Sequence, residues 1–359
     1  RPAFNWSRRA SLGFALFAAV MFALPILSRM LDRADHPGLA RFAGLPGYLW
    51  MLAVLWIVSF GLLAEVWNAL VFVVGRFRPG TSKARLAPDR FITWVGLVAA
   101  ILSIWGVFEV NTLRLETIPI TTSRLAAGTK PLRILQISDL HLGPFVGRRP
   151  IDRILRLAKE SQPDVVVCTG DLFDSRGAEM RPLVERLALL RPPFGKVAVL
   201  GNHECYVGIP QSLELLRASG FTVLRGQAAR LQWGESGILV AGVDDPTGSM
   251  VSKQGRTDED AALPSNFMRE FTILLKHQPE VSPAAAGRFD LQLSGHTHGG
   301  QVFPFHVYVW LFFPKFAGLY DLPGGAHLYS SRGVGTWGPR IRVFAPPTVT
   351  LFDIRPAAP

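Results

Sequence analysis

The sequence predicts an α/β domain preceded by an α-helical membrane bundle. Three observations carry this reading: long apolar runs confined to the N-terminal third, a switch near Arg133 to short β-branched strands alternating with helices, and metal-competent side chains where those strands end. With 359 residues, 49% of them apolar, the chain is long enough for two domains and too apolar for a disordered one. Its charged fraction of 18% falls below the roughly 25% of ordinary soluble domains, as membrane segments would produce.

Residues 10–28 form an uncharged run whose only irregularity is Pro25; 42–75 carries Trp50, Trp56 and Trp67, and 91–108 carries Trp94 and Trp105. A spanning helix takes about 20 apolar residues, so at least three transmembrane helices are expected, at about 10–28, 47–75 and 91–110. Soluble core helices rarely stay uncharged for so long. Arg8 and Arg9 ahead of the first run also suit a signal peptide, but no small-residue cleavage site is followed by a soluble domain, so the run reads as a retained helix. The chain opens on Arg1 rather than Met, so three is a minimum. Glu65 and Asn68, one helical turn apart, read as a polar contact inside the bundle, with a functional membrane site as the alternative.

Residues 1–130 hold 14 Lys or Arg and 6 Asp or Glu, whereas 131–359 hold 24 and 21. The positive excess therefore flanks the apolar runs, and the globular part lacks the basic, aromatic-interleaved stretch of a nucleic-acid binder, so no nucleic-acid partner is expected. Arg76, Arg78, Lys83, Arg85 and Arg90 between the second and third runs, with Arg1, Arg8 and Arg9 before the first, mark those segments as cytoplasmic. The chain then reads as a multi-pass protein of a bacterial inner membrane with its C-terminal domain outside the cytoplasm. Residues 1–112 are expected as the membrane domain, 113–131 as a polar linker with Pro119 and Gly128, and 132–356 as the globular domain.

Within that domain, strands are expected at 133–137, 164–168, 196–200, 238–242, 271–275 and 291–293, with helices at 151–160, 180–190 and 211–218. The strand ends carry Asp139 and His141, Asp171, Asn202 and His203, His277, and His296 and His298. Ligands collect at strand C-termini in α/β sheets, so five such ends converge on one site. Each piece alone has an ordinary structural explanation; all five in order do not.

This order, Asp-x-His, Gly-Asp, Gly-Asn-His-Glu, His and Gly-His-Thr-His, resembles the calcineurin-like metallophosphoesterases over residues 133–354. Gly295 to Gln301 resembles a partly membrane-bound bacterial branch, and UDP-2,3-diacylglucosamine hydrolases belong to the same superfamily. The resemblance implies a four-layer αββα sandwich and two divalent metal ions, one on Asp139, His141, Asp171 and His298, the other on Asp171, Asn202, His277 and His296. Carboxylate, amide and imidazole donors suit Mn, Fe, Zn or Co, with Mn the first expectation from the family. Two such ions activate a bridging water and neutralise phosphoryl charge, so no side-chain nucleophile is needed. By resemblance, His203 protonates the leaving oxygen and Asp174 stands behind it, although Asp174 also reads as a helix-entry cap.

Arg148 and Arg149 are candidates for holding a substrate phosphate or lipid head group, or else an exposed loop pair. Glu204 reads as loop support. The apolar, Pro-broken stretch 302–319 is too short to span; it dips into the membrane interface or lines an acyl groove, or else belongs to the core. Residues 244–266 read as a mobile surface loop, and Cys168 and Cys205 as two buried thiols rather than a disulfide. The expected function is hydrolysis of a phosphate ester or pyrophosphate of a membrane lipid or lipid precursor. A nucleotide or general phosphodiesterase merely anchored by its helices, and a non-catalytic membrane sensor or scaffold, are the alternatives.

Overall fold

A computed structural model describes residues 7–78, 80–252, 254–263 and 270–357. The chain divides into two compact units, Arg1–Val107 and Phe108–Pro359. The first is built from α1 (Arg8–Arg33), α2 (Pro37–Gly75) and all but the end of α3 (Pro88–Glu109). These three helices are long and apolar enough to cross a membrane. Most of their large apolar side chains are exposed, Phe14, Leu16, Leu62, Trp94 and Ile104 among them, an arrangement that water penalises and lipid does not. Small residues let α1 and α2 approach. A Cβ on Gly47 would lie 2.5 Å from Cδ of Pro25, and Ser28 donates its hydroxyl to the Ala40 carbonyl at 2.7 Å. Asn68 exchanges hydrogen bonds with the backbone of Leu86, in the connection between α2 and α3 rather than on a facing helix, and Glu65 is exposed.

The second unit stacks two six-stranded sheets. One has the order β1-β12-β2-β3-β4-β5, from β1 (Arg114–Thr122), β2 (Leu132–Ile137), β3 (Val165–Cys168), β4 (Lys196–Ala198), β5 (Phe221–Val223) and β12 (Thr348–Pro356). The other has the order β10-β11-β9-β8-β7-β6, from β6 (Gln227–Trp233), β7 (Ser236–Gly242), β8 (Phe271–Leu275), β9 (Leu291–Ser294), β10 (Gly318–Asp321) and β11 (His327–Ser330). The pleat sorts the side chains. Ile134, Val165 and Val167 meet Ile238, Ile273 and Leu293 between the sheets, whereas Leu135, Ile137, Val166 and Cys168 face outward beneath α4 (Arg148–Ser161), α5 (Arg181–Leu187) and α7 (Ile209–Ala218). The short α6 (Asn202–Val207) leads into α7. Ala262, Leu274, Ala285 and Phe289 form a smaller outer core on the second sheet with α9 (Glu259–Ala262), while α8 (Thr247–Ser252) lies against α6. The fold is the expected αββα sandwich.

Two stretches differ from the sequence reading. Residues 113–131, expected as a linker, contain β1, which pairs in parallel with β12 along nine residues; Ile118 and Ile120 are buried while Thr117, Pro119 and Thr121 are exposed, and an edge strand tolerates Pro119. Among the described residues of 244–266, expected as a mobile loop, α8 and α9 are formed and acids are anchored. Asp244 makes a bidentate pair with Arg225 and the buried Glu259 lies 2.7 Å from Lys276. Residues 253 and 264–266 of that stretch lie outside the described residues.

Candidate metal centre

β2, β3 and β4 are parallel neighbours, as are β8 and β9, so the loops after them open at one edge of the sandwich. The strands end and the backbone turns sharply. Asp139, His141, Asp171, His296 and His298 all have φ between 50° and 71°, a left-handed region that costs non-glycine residues energy and persists where surroundings over-determine it. Here the loops brace one another: Asp139 N donates to Gly170 O, His141 N to Asp171 O and Gly295 N to His277 O. Glu204, fully buried, accepts from four backbone N–H groups, those of Gly201, Asp171, Leu172 and Phe173, at 2.7 to 3.1 Å. Gly170 has φ 96°, and a Cβ there would lie 2.7 Å from Gly201 N and from His277 Nδ1.

The side chains meet in two adjoining groups. In one, His298 Nε2 is 3.4 Å from Asp139 Oδ1 and 2.9 Å from His141 Nε2. In the other, His277 Nε2 is 3.0 Å from Asn202 Oδ1 and His296 Nδ1 is 3.0 Å from the same oxygen. Asp171 Oδ2 reaches into both, 3.8 Å from His141 Nε2 and 3.2 Å from His277 Nε2. Sets of three His and Asp donors lie within 4.8 Å of one another. Buried imidazole nitrogens and carboxylates gathered within ligand distance of one another fit divalent cations with mixed nitrogen and oxygen ligands.

The far sides of the rings fix their protons. His277 Nδ1 donates to Thr169 O at 2.7 Å and His141 Nδ1 to Asp174 Oδ1 at 2.7 Å, which aims each Nε2 at the centre. Asp174 Oδ1 also accepts from His203 Nδ1 at 2.6 Å, so one carboxylate oxygen serves two imidazoles. The His203 and His141 rings meet edge to face at 4.4 Å, and His203 Nε2 points in, 3.9 Å from Asp171 Oδ2.

Electrostatics follows the same geometry. Burial raises Asp139, whereas in Asp171 the burial penalty is outweighed by His277 and His203, which hold its carboxyl well below the usual range. Asp174 is likewise held low by His203 and His141 against its burial. Burial would lower His277, but Asp171 raises it well above an ordinary imidazole. Burial, then the neighbouring His277, lowers His296 to about 4; burial and His141 lower His298. Neutral imidazoles are the form that ligates metals.

Arg148 is brought elsewhere: it is exposed at the start of α4 and bonds Asp152 at 3.0 Å, one turn along the helix. Arg149 lines a small cavity with Arg153, Thr336 and Arg340. Both Cys168 and Cys205 are free, buried thiols, and burial pushes Cys205 up to about 12. Sequence reasoning missed Arg342. It is fully buried, its pKa lowered to about 10 by burial, and its guanidinium donates to the carbonyls of Arg332, Gly333, Gly335, Ala345 and His298. It ties the 332–345 loop to the His298 turn, and nothing in a lone Arg after Gly338-Pro339-Arg340-Ile341 announces this.

Two facing sheets with paired His and Asp clusters at their strand ends define a metal-dependent phosphoester hydrolase. Residues 132–300 match the family model of the calcineurin-like phosphoesterases. A metallophosphoesterase of Aquifex aeolicus is 39% identical over 259 residues, covering 72% of this chain and 98% of that protein. Proteins described as transmembrane with a metallophosphoesterase domain, from Danio rerio and Bos taurus, are 30% and 32% identical; they cover 91% and 90% of this chain and 76% of their own length. The chain belongs to the calcineurin-like metallophosphoesterase family.

Proposed function

We propose that the chain is a membrane-anchored dinuclear phosphoesterase that hydrolyses a phosphate ester or pyrophosphate bond of a membrane lipid or lipid precursor. The observation that carries the chemistry is Asp171 Oδ2 reaching two His clusters beside the His203–Asp174 couple. Asp139, His141, Asp171 and His298 would hold one ion, and Asp171, Asn202, His277 and His296 the other, with Mn favoured by resemblance. When bound, such a pair supplies an activated water and neutralises charge on an in-line phosphoryl transition state. His203 delivers a proton from Nε2 to the leaving oxygen, and Asp174 keeps the ring oriented and favours its protonated form. Asp174 and Thr169 keep Nε2 of His141 and of His277 turned inward.

The lipid part of the reading is supported by the three helices long enough to span and by the apolar surface beside the centre. The motif Gly295 to Gln301 fits the membrane-bound bacterial branch, and the distribution of positive charge favours an extracytoplasmic catalytic domain. Arg148 and Arg149, at the start of α4, are kept as candidate head-group contacts. The test uses the full chain in nanodiscs with Mn, comparing hydrolysis of acylated and deacylated phosphate esters in wild type, Asp139→Asn and His203→Ala. Loss of turnover in both variants and preference for the acylated ester are expected. Equal rates on the two esters would favour a general phosphodiesterase, and undiminished turnover in both variants would refute the site. Reporter fusions after Lys130 and at Pro359 test sidedness.

A further inference from the structure

Beyond the buried Val302, the stretch 303–319 has no buried residue. Its helix α10 (Phe305–Phe312) has no buried residue, and Val307, Tyr308, Trp310, Leu311 and Phe312 are exposed, Phe312 by 75%. Trp337 and Phe344, from the loop beyond β11, are exposed too and join this surface through ring contacts with Phe305 and Phe303 at 6.0 and 5.9 Å. Water penalises so large a contiguous apolar patch, and on natural proteins such patches mark an interaction face.

We propose that α10, with Trp337 and Phe344, seats in the surface of an anionic lipid bilayer and holds the metal centre at headgroup level. Two observations select lipid as the occupant. The first is charge: between Gln301 and Leu319, and between Ser331 and Ala345, there is no acidic residue, while the same two stretches carry Lys315, Arg332 and Arg340, of which Arg332 pairs with Glu116 at 3.4 Å. Apolar surface bordered by Lys and Arg is the composition that binds anionic membranes. The second is the chain path. Glu109, the last residue of α3 and part of this second unit, accepts from Phe344 N at 2.7 Å, so the patch is fastened to the residue at which the third candidate span ends.

The same segment is fastened to the metal centre. Phe313 meets the His296 ring at 5.0 Å, and the Thr297 hydroxyl, between His296 and His298, donates to Phe316 O at 2.6 Å. A bilayer seated on α10 therefore places phosphate head groups beside the metal-competent cluster. The inference rests on the membrane reading of the proposed function and is independent of which phosphate is cleaved.

The test labels Leu311→Cys with an environment-sensitive fluorophore in the full chain, reconstituted in nanodiscs of phosphatidylethanolamine and phosphatidylglycerol. Leu189→Cys, an exposed position of the same unit outside the patch, is the reference, and the two native thiols are buried. Lipid-borne nitroxide is expected to quench the label at 311 and not at 189, with iodide quenching at 311 about threefold weaker. Equal iodide quenching at both positions, with no lipid-borne quenching, overturns the proposal. Leu311→Glu is expected to lower turnover of a vesicle-borne phosphate ester about tenfold relative to bis-p-nitrophenyl phosphate measured on the same variant. Quenching at the labelled Leu311→Cys, together with a wild-type protein that cleaves no lipid ester, would uphold the docking surface and remove the lipid substrate.

Discussion

Asp174→Asn separates two tasks that one oxygen performs. Asp174 Oδ1 accepts from His203 Nδ1 at 2.6 Å and from His141 Nδ1 at 2.7 Å. Hydrogen bonds to a charged group contribute about 1.5–3 kcal/mol each and neutral ones about 0.5–1.5, so the amide weakens each contact by about 1–2 kcal/mol. At His203 that loss falls on the protonated ring, and at about 1.4 kcal/mol per tenfold it lowers kcat roughly 5- to 30-fold. At His141 it falls on the orientation of a metal-competent nitrogen, where loss of a supporting hydrogen bond weakens metal affinity about 10- to 100-fold. Free-Mn titration of activity reads the affinity, and kcat at saturating Mn reads the acid. In a His203→Ala background, Asp174→Asn should leave kcat within about threefold of the single variant while still weakening Mn binding. A full further loss of kcat there, or unchanged Mn affinity in Asp174→Asn, would refute this division of labour.

Glu204→Gln sets an NH2 group against backbone donors that the carboxylate now accepts; unsatisfied buried donors cost about 1–3 kcal/mol each, so thermal unfolding should shift several degrees downward with metal occupancy reduced. Metal binding should release protons. In metal-free protein Asp171 holds His277 protonated well above the ordinary imidazole range, and the ion must displace that proton. Mn affinity therefore rises with pH, by up to about tenfold per unit below that raised pKa, and flattens above it. Titration calorimetry in buffers of different ionisation enthalpy reads the released proton; pH-independent affinity across the neutral range would contradict the His277–Asp171 coupling. Arg342→Met, which removes a buried guanidinium from five carbonyls, should lower stability and Mn affinity together, whereas a surface change such as Arg181→Met should alter neither.

The parts of the fold legible in the sequence are those where one residue type has little choice. Val165 to Cys168 and Phe271 to Leu275 are buried on both faces, and such runs, apolar throughout or broken only by Thr272, announce themselves. The strand β6, Gln227–Trp233, buries only Trp233, and its small Ala228 and Ala229 set among Gln227, Arg230 and Gln232 give a weak strand pattern, so pattern reading passes over it. β12 escaped because Thr348, Thr350 and Asp353 break its apolar character although all are buried by neighbours distant in sequence. The seven metal-competent residues were legible because each follows a readable strand, and the loop spacing preserves their order. What order could not convey is sharing. Asp174 serving His141 as well as His203, and Arg342 reaching the His298 turn from 44 positions away, arise from loops meeting across the sheet edge.

The position of β12 between β1 and β2 has a consequence for the order of assembly. β1 and β2 are consecutive in sequence yet never neighbours in the sheet, because residues 348–356 pair with β1 on one side and β2 on the other. During synthesis, β1 follows directly after α3 but has no partner until more than 200 further residues have emerged. Contacts of such sequence separation form late, and an unpaired strand is a template for pairing with other chains. The sandwich therefore closes from the C-terminal side, and a chain cut before Thr348 leaves β1 unpaired and one edge of β2 open rather than merely losing a tail.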